Sequence, residues 1–305
     1  MYLPAVVNSF GHAMRQKYGE KIHKVSINAA FTCPNRDGSK GIGGCSFCNN
    51  SSFSPSAKKP TAIIEQIDAG QAVIQRRTGA KKYIAYFQAY TNTYAEVAYL
   101  KQQYDQALKA PNVIGLSVGT RPDCVPNEVL YLLAGYQQQG HEVWLELGLQ
   151  SALNESLQRV NRGHGFEEYE DAMKRARRFG LQVCTHLIIG LPGESAEMSV
   201  ESHRRVMDLG TQGLKLHPLH VVRHTLLAKQ WKQGGYQTMQ QADYINTACA
   251  LIRQTPQEVV FHRLTATANA SILLAPAWCQ KKWAVLNAIY DQLRHEGAKQ
   301  GSDLH

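Results

Sequence analysis

Short apolar segments rich in β-branched and aromatic residues recur along the chain, separated by segments with apolar residues at helical spacing. The first kind predicts strands at 25–29, 83–88, 113–118, 142–148, 182–189 and 213–219. The second kind predicts helices, for example at 61–77, 96–109, 127–139, 167–179 and 196–209. Repeated strand and helix units build a parallel sheet, so six of them indicate an α/β fold, a partial (β/α)6 TIM-like barrel with one open side.

The pattern changes after about residue 220. Helical spacing returns at 226–231, 242–254 and 283–294, and 258–264 resembles one more strand. We therefore predict a barrel core over 1–220 and a C-terminal α/β extension over 221–305 that packs on the barrel. The last residues, 297–305, are expected to form a frayed tail.

Composition limits the class of protein. The 305 residues are 44% apolar and 19% charged, which fits a folded chain with a large core and excludes a disordered one. No apolar run is long enough to cross a bilayer, and residues 1–10 lack the pattern of a secretory signal. Seven cysteines without a small-domain framework favour a reducing cytoplasm, where thiols remain available for a metal cluster.

The formal net charge of +9 hints at a polyanionic partner such as RNA. Pairs of basic residues are the candidates for phosphate contacts: Lys58 with Lys59, Arg76 with Arg77, Lys81 with Lys82, and Lys281 with Lys282. Each could equally be an ordinary exposed side chain. Trp278 and Trp283 beside the last pair could stack on bases, but we favour a role in packing the extension on the barrel.

Three cysteines in the loop after the first predicted strand carry the strongest chemical signal: Cys33, Cys45 and Cys48. A structural zinc site takes four ligands, whereas an iron-sulfur cube held by three cysteines leaves one iron open. An open iron can bind S-adenosylmethionine and reduce it to a 5'-deoxyadenosyl radical. Phe47 suits this interpretation, because an aromatic ring beside a cluster can pack on adenine. The alternatives at this point are half of a zinc knuckle or ordinary thiols.

Ordered motifs near the ends of the predicted strands carry a family resemblance. After the cysteines come YFQAYTNT at 86–93, TRPD at 120–123, ELGLQS at 146–151, NRGH at 161–164 and HLIIGLPGE at 186–194. In this order they resemble the motifs of radical S-adenosylmethionine enzymes, most closely a YhcC/YtqA-type subfamily related to the radical domain of the Elongator catalytic subunit. The anaerobic coproporphyrinogen dehydrogenase is a more distant match. No acetyltransferase segment follows, so we do not expect that half of the Elongator chemistry.

The resemblance implies that Cys33, Cys45 and Cys48 ligate a 4Fe-4S cluster whose fourth iron takes the amino and carboxylate groups of S-adenosylmethionine. Gln150 and Arg162 match the polar pair that addresses the ribose and the carboxylate of this cofactor. The family's loop most often has three residues between its first two cysteines, and eleven stand here. The Elongator-like branch shares this lengthening, so no ligand is lost.

The same motifs imply further cofactor-binding residues. Gln88 stands where the family has a glycine pair, and it is our candidate for the methionine amino group. Thr120 and Arg121 stand where an acidic residue is expected near the ribose, and Arg121 could instead pair with a carboxylate or phosphate. Glu146 belongs to the motif of the fourth strand, and Leu191 belongs to that of the fifth as an adenine-side backbone contact.

Lys215 and His217 lie on the sixth predicted strand, and His186 lies on the fifth. Alternation along a strand points some of these side chains into the barrel. An inward lysine would need an anionic partner such as the cofactor carboxylate, because an unpaired buried ammonium is costly. For each histidine, a satisfied role in the core is the alternative to a role in catalysis. We expect no second cluster from the remaining cysteines, which are Cys124, Cys184, Cys249 and Cys279.

These observations favour a radical S-adenosylmethionine enzyme that takes one electron from a flavodoxin-like or ferredoxin-like donor. Kinship to Elongator implies tRNA as the substrate and a wobble-uridine side chain as the target. The first alternative is a radical oxidoreductase acting on a small anionic metabolite, for which Arg121 and Arg223 could bind carboxylates. The second, of another class, is a zinc-stabilised RNA-binding protein.

Overall fold

The computed structural model describes residues 3–49 and 61–304. Within them, parallel strands form one sheet that curls into a half-barrel, and each strand pairs with the next along the chain. The strands of this sheet are β1 (Ile22–Ile27), β2 (Lys82–Phe87), β3 (Val113–Thr120), β4 (Glu142–Gln150), β5 (Gln182–Ile189), β6 (Gly213–Pro218) and β8 (Val260–Arg263). The predicted α/β barrel class is confirmed.

All helices of this part except the first, which precedes β1, follow a strand and cover the outer face of the sheet, as in other β/α barrels. In chain order the helices are α1 (Phe10–Tyr18), α2 (Ile63–Thr78), α3 (Val97–Lys109), α4 (Asn127–Gln138), α5 (Asn154–Arg159), α6 (Phe166–Arg178) and α7 (Ala196–Asp208). Five of them match the predicted helices, whereas α1 and the short α5 were not predicted. The main core lies between the sheet and these helices, and β4 is buried along almost its whole length, including its two glutamates.

The C-terminal part contributes helices α8 (Leu226–Lys232), α9 (Gln241–Arg253) and α10 (Lys282–His295), all close to their predicted bounds. It also forms a small antiparallel pair of strands, β7 (Val221–Val222) and β9 (Leu273–Ala275). The strand predicted at 258–264 is β8, which pairs in parallel with β6 and adds a seventh strand to the barrel sheet within the described residues. The division at residue 220 stays a prediction.

Helix α1 plugs the barrel at the N-terminal ends of the strands. Phe10 and Met14 pack there on inward-facing residues of the sheet, which are Ile22, Ile84, Trp144, Cys184 and Val260. Gly213 makes room for this layer, because a Cβ at that position would lie 2.9 Å from the Trp144 ring. The plugged end leaves only the opposite end of the barrel, where the strands finish, open to a ligand.

The predicted frayed tail is wrong for the described residues 297–304. Gln300 is 3% exposed, and its backbone N donates to Val6 O at 2.9 Å. Its side-chain amide accepts from Asn8 N at 2.8 Å and donates to Pro256 O and Val259 O at 2.6 and 2.8 Å. The tail therefore ties the N-terminal segment to the loop that precedes β8.

Candidate active site

A cavity of about 220 Å³ lies where the strands of the half-barrel end. Most of the predicted site residues line it, namely Cys33, Cys45, Phe47, Cys48, Gln88, Thr120, Arg121, Gln150, Arg162 and Lys215. They come from the loop after β1 and from the ends of β2, β3, β4 and β6, with Arg162 following α5. Glu146 and Leu191 are not among the lining residues. The convergence of residues so distant in sequence follows from the parallel strands, whose C-terminal ends meet at one edge.

The cysteine loop is held by its own backbone. Arg36 N and Asp37 N donate to Cys33 O at 2.8 and 3.2 Å, and Cys48 N donates to Cys45 O at 3.0 Å. Within residues 3–49 and 61–304, no three His, Cys, Asp or Glu side chains converge on a point that could hold a single metal ion. A cubane cluster takes one thiolate on each of three irons, so its ligands stand further apart than those of a single zinc ion.

Cationic and amide groups surround these thiols. Arg162 is 7% exposed, and its Nη1 donates to Cys45 Sγ at 3.5 Å, while its Nε has no hydrogen-bond partner in the described part of the chain. Arg36 Nη2 donates to Cys48 O at 2.5 Å. Burial raises the pKa of the Cys48 thiol to about 11, with Cys45 adding to this rise and Arg36 opposing it. Guanidinium groups at this position can offset the negative charge of several thiolates.

Two residues that sequence reasoning missed shape this loop. Asn35 is 1% exposed, and its Nδ2 donates to Asn161 O at 2.6 Å and lies 3.8 Å from Cys45 Sγ. Arg36 packs against Gly44, which has a positive φ of 79°. A Cβ at Gly44 would lie 2.8 Å from Arg36 Nε, so glycine satisfies both the backbone and the packing there. The only sequence signal for them is their place within the cysteine loop.

Arg121 is saturated by protein partners. Its Nε and Nη2 donate to the two carboxylate oxygens of Asp123 at 2.9 and 3.0 Å, and its Nη1 donates to Arg162 O at 2.9 Å. Burial would raise the pKa of Asp123, but the paired guanidinium holds it well below its usual range. Arg121, which was expected to pair with a carboxylate or phosphate of a ligand, pairs instead with Asp123 and joins the end of β3 to the loop that carries Arg162.

Thr120, Gln88 and Gln150 retain polar capacity toward the cavity. Thr93 Oγ1 donates to Cys124 O, so the 2.5 Å contact between the two threonine hydroxyls has Thr120 as its donor, which leaves Thr120 Oγ1 able to accept. The Gln88 Oε1 accepts from Ser26 Oγ at 2.9 Å, and its Nε2 has no hydrogen bond to any residue that the structure describes. Gln150 has a positive φ of 83°, which turns the chain at the end of β4.

Glu146 is fully buried beneath the cavity, where four groups bind its carboxylate. Lys24 Nζ and Ser117 Oγ donate to Oε1 at 2.5 Å each, and His186 Nε2 donates to Oε2 at 2.8 Å alongside Lys215 Nζ. The anionic partner expected for Lys215 is therefore a protein carboxylate. Burial would raise the pKa of Glu146, but Lys215 and Lys24 hold it well below the usual value.

The same network brings the two edges of the sheet together. Lys24 of β1 lies 2.8 Å from Nδ1 of His262 on β8, although these strands stand at opposite ends of the strand order. Burial, Lys24 and Arg263 lower the pKa of Lys215 to about 8, with Glu146 opposing the shift. Lys215 therefore stays protonated at pH 7, and its Nζ also donates to Tyr86 OH at 2.9 Å.

Leu191 is 1% exposed and packs in a small apolar cluster with Ile188 and Leu219, against which Phe47 is partly buried. Its carbonyl accepts from Glu194 N at 3.0 Å, which closes the turn after β5. The Leu191 side chain is thus a support for Phe47 and not part of the cavity wall.

A second group of polar residues lines the cavity from β5, β6, the loop between β6 and β7, and β8, and none of them was among the predicted cofactor-binding residues. It consists of His186, His217, His220 and Arg263. His217 Nδ1 donates to Pro218 O at 2.7 Å, and the His217 and His220 rings lie 4.6 Å apart. Burial lowers the pKa of His186 and of His220 to about 4, so both rings are neutral at pH 7.

The other candidates lie away from the cavity. Lys82 forms a 2.8 Å ion pair with Glu20, and Trp278 Nε1 donates to Met239 O at 3.1 Å, as expected for a packing residue, while Trp283 is 67% exposed. Lys58 and Lys59 lie outside the described residues. Cys184, Cys249 and Cys279 are buried apart from the cysteine loop. Among the described helices, none is both long enough and apolar enough to span a membrane.

Comparison with known proteins identifies the class. The radical SAM superfamily model matches residues 32–206, and the model of the radical SAM C-terminal domain matches residues 211–295. The chain belongs to the radical SAM superfamily, whose enzymes use a 4Fe-4S cluster, S-adenosylmethionine and a one-electron reductant. The predicted class of enzyme and its cofactors are confirmed, and the zinc-stabilised RNA-binding alternative is not supported.

Two relatives are similar over their full length. The chain is 48% identical to YhcC of Escherichia coli over 304 residues, which cover 100% of this chain and 97% of that protein. It is 36% identical to YtqA of Bacillus subtilis, with coverage of 96% and 91%. The predicted kinship to the YhcC/YtqA type is therefore confirmed.

Two further similarities cover only part of the other protein. The chain is 28% identical to a tRNA uridine(34) acetyltransferase of Methanocaldococcus infernus over 53% of this chain and 30% of that protein. Its fold is similar to the solved structure of Elp3 from the same archaeon, with a TM-score of 0.66 at 20% identity, covering 92% of this chain and 64% of Elp3. The chain thus spans less than two thirds of these two relatives.

Proposed function

We propose that this radical SAM enzyme forms a 5'-deoxyadenosyl radical at the described cavity and uses it to modify the side chain of a wobble uridine in tRNA. The observation that carries the first half is the presence of Cys33, Cys45 and Cys48 on one cavity at the strand ends, together with the guanidinium groups of Arg36 and Arg162. When bound, the cluster and S-adenosylmethionine supply the radical that abstracts hydrogen from the substrate.

The donor set fits a 4Fe-4S cluster. Cys33, Cys45 and Cys48 provide three thiolates, and Arg162 donates a hydrogen bond to the sulfur of Cys45. Such hydrogen bonds lower the charge on a ligand sulfur and tune the cluster potential. The contact at Cys45 also gives Arg162 a role beyond the cofactor carboxylate, since its unpartnered Nε is the atom left to bind one.

The polar lining can hold S-adenosylmethionine. Phe47 offers a face for adenine, and the apolar cluster that contains Leu191 packs against Phe47. Thr120 Oγ1 can accept from a ribose hydroxyl, whereas Gln88 and Gln150 present amides for the ribose and the methionine end. Arg121, Glu146 and Lys215 act differently, because their charges already meet protein partners. We assign Arg121 to positioning the loop of Arg162, and Glu146 with Lys215 to the floor of the site.

The cluster assignment is tested by metal and acid-labile sulfide analysis of protein that has been reconstituted anaerobically. Cys33→Ala, Cys45→Ala and Cys48→Ala are each expected to lose at least nine tenths of the bound iron and sulfide. Cys249→Ala is the control and should keep the wild-type content, because Cys249 is buried between α9 and α10. Full iron and sulfide in any of the three loop variants would refute the assignment.

The second half of the proposal rests on the similarity to a tRNA uridine(34) acetyltransferase, whose matched part includes neither the full length of that protein nor all of this chain. The net charge of +9 favours a polyanionic partner. A uridine must leave its stack to enter a barrel mouth, and a flexible anticodon loop permits this more readily than a paired stem. A flavodoxin-like or ferredoxin-like protein is the proposed electron donor.

Mass spectrometry of tRNA nucleosides from cells with and without this protein tests the substrate, including strains that lack parallel modification enzymes. We expect a changed level of at least one modified uridine in the deletion strain and salt-sensitive binding of tRNA by the purified protein. An unchanged nucleoside profile together with no tRNA binding would favour the alternative, a small anionic metabolite. The metabolite remains the second candidate because the guanidinium of Arg263 lines the cavity and could bind its negative charge.

A further inference from the structure

Arg263 is the last residue of β8 and lines the cavity beside Lys215 of β6. A register shift between Leu214 and Lys215 interrupts the pairing of β6 with β8. As a result the consecutive residues His262 and Arg263 both reach the inner side, His262 against Lys24 and Arg263 at the cavity. Bulges of this kind re-aim side chains next to active sites.

No described residue pairs with the Arg263 guanidinium. Within residues 3–49 and 61–304, it has neither a carboxylate within ion-pair distance nor a hydrogen-bond acceptor. By contrast, Arg121 at the end of β3 donates two hydrogen bonds to the carboxylate of Asp123. A partly buried guanidinium that the protein leaves unpaired gains most from an anion that arrives with a ligand.

The surroundings of Arg263 add positive charge and no further anion. Lys24 and Lys215 share the single carboxylate of Glu146, so no negative charge in this group balances the positive charge of Arg263. Burial together with Arg263 keeps His220 neutral, and His217 is kept neutral by burial, His220 and Arg263. The Nε2 of His220 is buried and has no hydrogen-bond partner among the described residues. This part of the cavity therefore attracts a negatively charged group and presents imidazole nitrogens beside it.

We propose that Arg263 binds an oxyanion of the substrate, a carboxylate or a phosphate, and so holds the reacting part of the substrate inside the half-barrel. The inference rests on the proposed function, because it assumes that the substrate enters this cavity. It deepens that function by stating the charge of the group that enters. Arg263 pairs in register with Lys215 deep in the barrel, so the anion belongs to the part of the substrate that enters first.

Nuclear magnetic resonance with two simple anions tests the site in cluster-loaded protein with S-adenosylmethionine present. Saturation transfer to the methyl protons of acetate reports carboxylate binding, and the phosphorus line width of inorganic phosphate reports phosphate binding. We expect Arg263→Gln to reduce the signal of at least one anion by fivefold or more, and Arg263→Lys to restore part of it. The exposed Arg294→Gln on α10 is the matched control and should behave as wild type.

The acetate and phosphate measurements distinguish a carboxylate on the substrate from a phosphate. Acetate binding that depends on Arg263 supports a carboxylate on the substrate, and phosphate binding alone supports a phosphate. Equal signals in Arg263→Gln and wild type would overturn the inference. So would a parallel loss of S-adenosylmethionine in equilibrium dialysis, because Arg263 would then serve the cofactor. The urea midpoint should be unchanged or higher in Arg263→Gln, since no hydrogen bond or ion pair to a described residue is removed, and a clear fall would assign Arg263 to stability instead.

The two proposals can fail separately. If tRNA nucleosides are unchanged by deletion while anion binding still depends on Arg263, the tRNA assignment fails and the anion site remains, now for a metabolite. If uridine modification is lost on deletion but anion binding is independent of Arg263, the anion site fails and the tRNA assignment remains.

Discussion

Glu146 is the residue on which the interior of the half-barrel depends. Its carboxylate joins β1 through Lys24, β3 through Ser117, β5 through His186 and β6 through Lys215. Two ammonium groups share this one buried anion, so the site pays a desolvation cost that only good geometry can offset. The floor of the cavity is therefore fixed by charge pairing as much as by apolar packing.

Glu146→Gln is expected to lower the free energy of unfolding by about 3–5 kcal/mol, because it leaves two buried cations without an anion while keeping the size of the side chain. Urea denaturation at pH 7 measures the loss. Glu201→Gln is the control, since its ion pair with Arg204 is exposed and should contribute less than about 1 kcal/mol. Equal stability of Glu146→Gln and wild type would contradict the charge network.

Residues with a left-handed backbone gather where the strands end. Ala30, Tyr90, Gln150 and Asn161 all have positive φ, between 52° and 83°. Such conformations are strained for residues other than glycine and are typical of sites whose geometry is fixed by their surroundings. Tyr90 is notable because it stands next to Gln88, in the segment that replaces the glycine pair of the family. The turn that glycine would make is retained there by a tyrosine.

At the scale of elements, the apolar pattern predicts the sheet well. The strand at 182–189 has the bounds of β5, and the helix at 96–109 begins one residue before α3. These elements are long and strongly periodic, so local sequence is sufficient to define them. Helix α1 was missed because its apolar residues Phe10 and Met14 fill the end of the barrel, a role that only the assembled sheet creates.

Sequence motifs predicted which residues line the candidate site, but not which charged groups pair within it. The cysteines, Gln88, Thr120 and Gln150 lie at or just after strand ends, and parallel strands bring such ends together, while Arg162 follows α5 on the same side. The partners of charged groups could not be predicted, because they depend on which residues meet across the barrel. Glu146 was assigned to the cofactor but meets Lys215, and Arg263 was left without a role because a β-bulge turns it inward.

The C-terminal segment that holds Gln300 is part of the fold. Gln300→Ala is expected to lower the free energy of unfolding by about 2 kcal/mol, because Asn8 N and the carbonyls of Pro256 and Val259 lose their partner. Gln292→Ala is the matched control, since that amide bonds Asn246 and Glu296 at the surface. Urea midpoints of the two variants should differ clearly. A frayed tail would instead give both variants the wild-type midpoint.

For the whole molecule, buried neutral histidines make the folded state sensitive to acid. Burial lowers the pKa of His186, His203 and His220 to about 4 each, against 6.5 in an unfolded chain. Between these values the unfolded chain binds more protons than the folded one, so stability falls as the pH drops from 6.5 toward 4. His203 is the clearest case, because it lies on α7 away from the cavity and burial is the sole cause of its shift.

The surroundings of His203 explain why its pKa is lowered. Thr255 Oγ1 donates to Leu251 O at 2.7 Å, so it accepts from His203 Nε2 at 2.8 Å. The other ring nitrogen, His203 Nδ1, is buried and has no partner within residues 3–49 and 61–304. A proton on Nδ1 would be a buried donor with no acceptor.

His203→Gln keeps a donor for Thr255 and does not titrate. We expect wild type to lose up to about 3 kcal/mol more than this variant between pH 7 and pH 4. The exposed His295→Gln should follow wild type in urea denaturation across the same range, and identical pH profiles for His203→Gln and wild type would show that His203 protonates as easily in the folded chain as in the unfolded one.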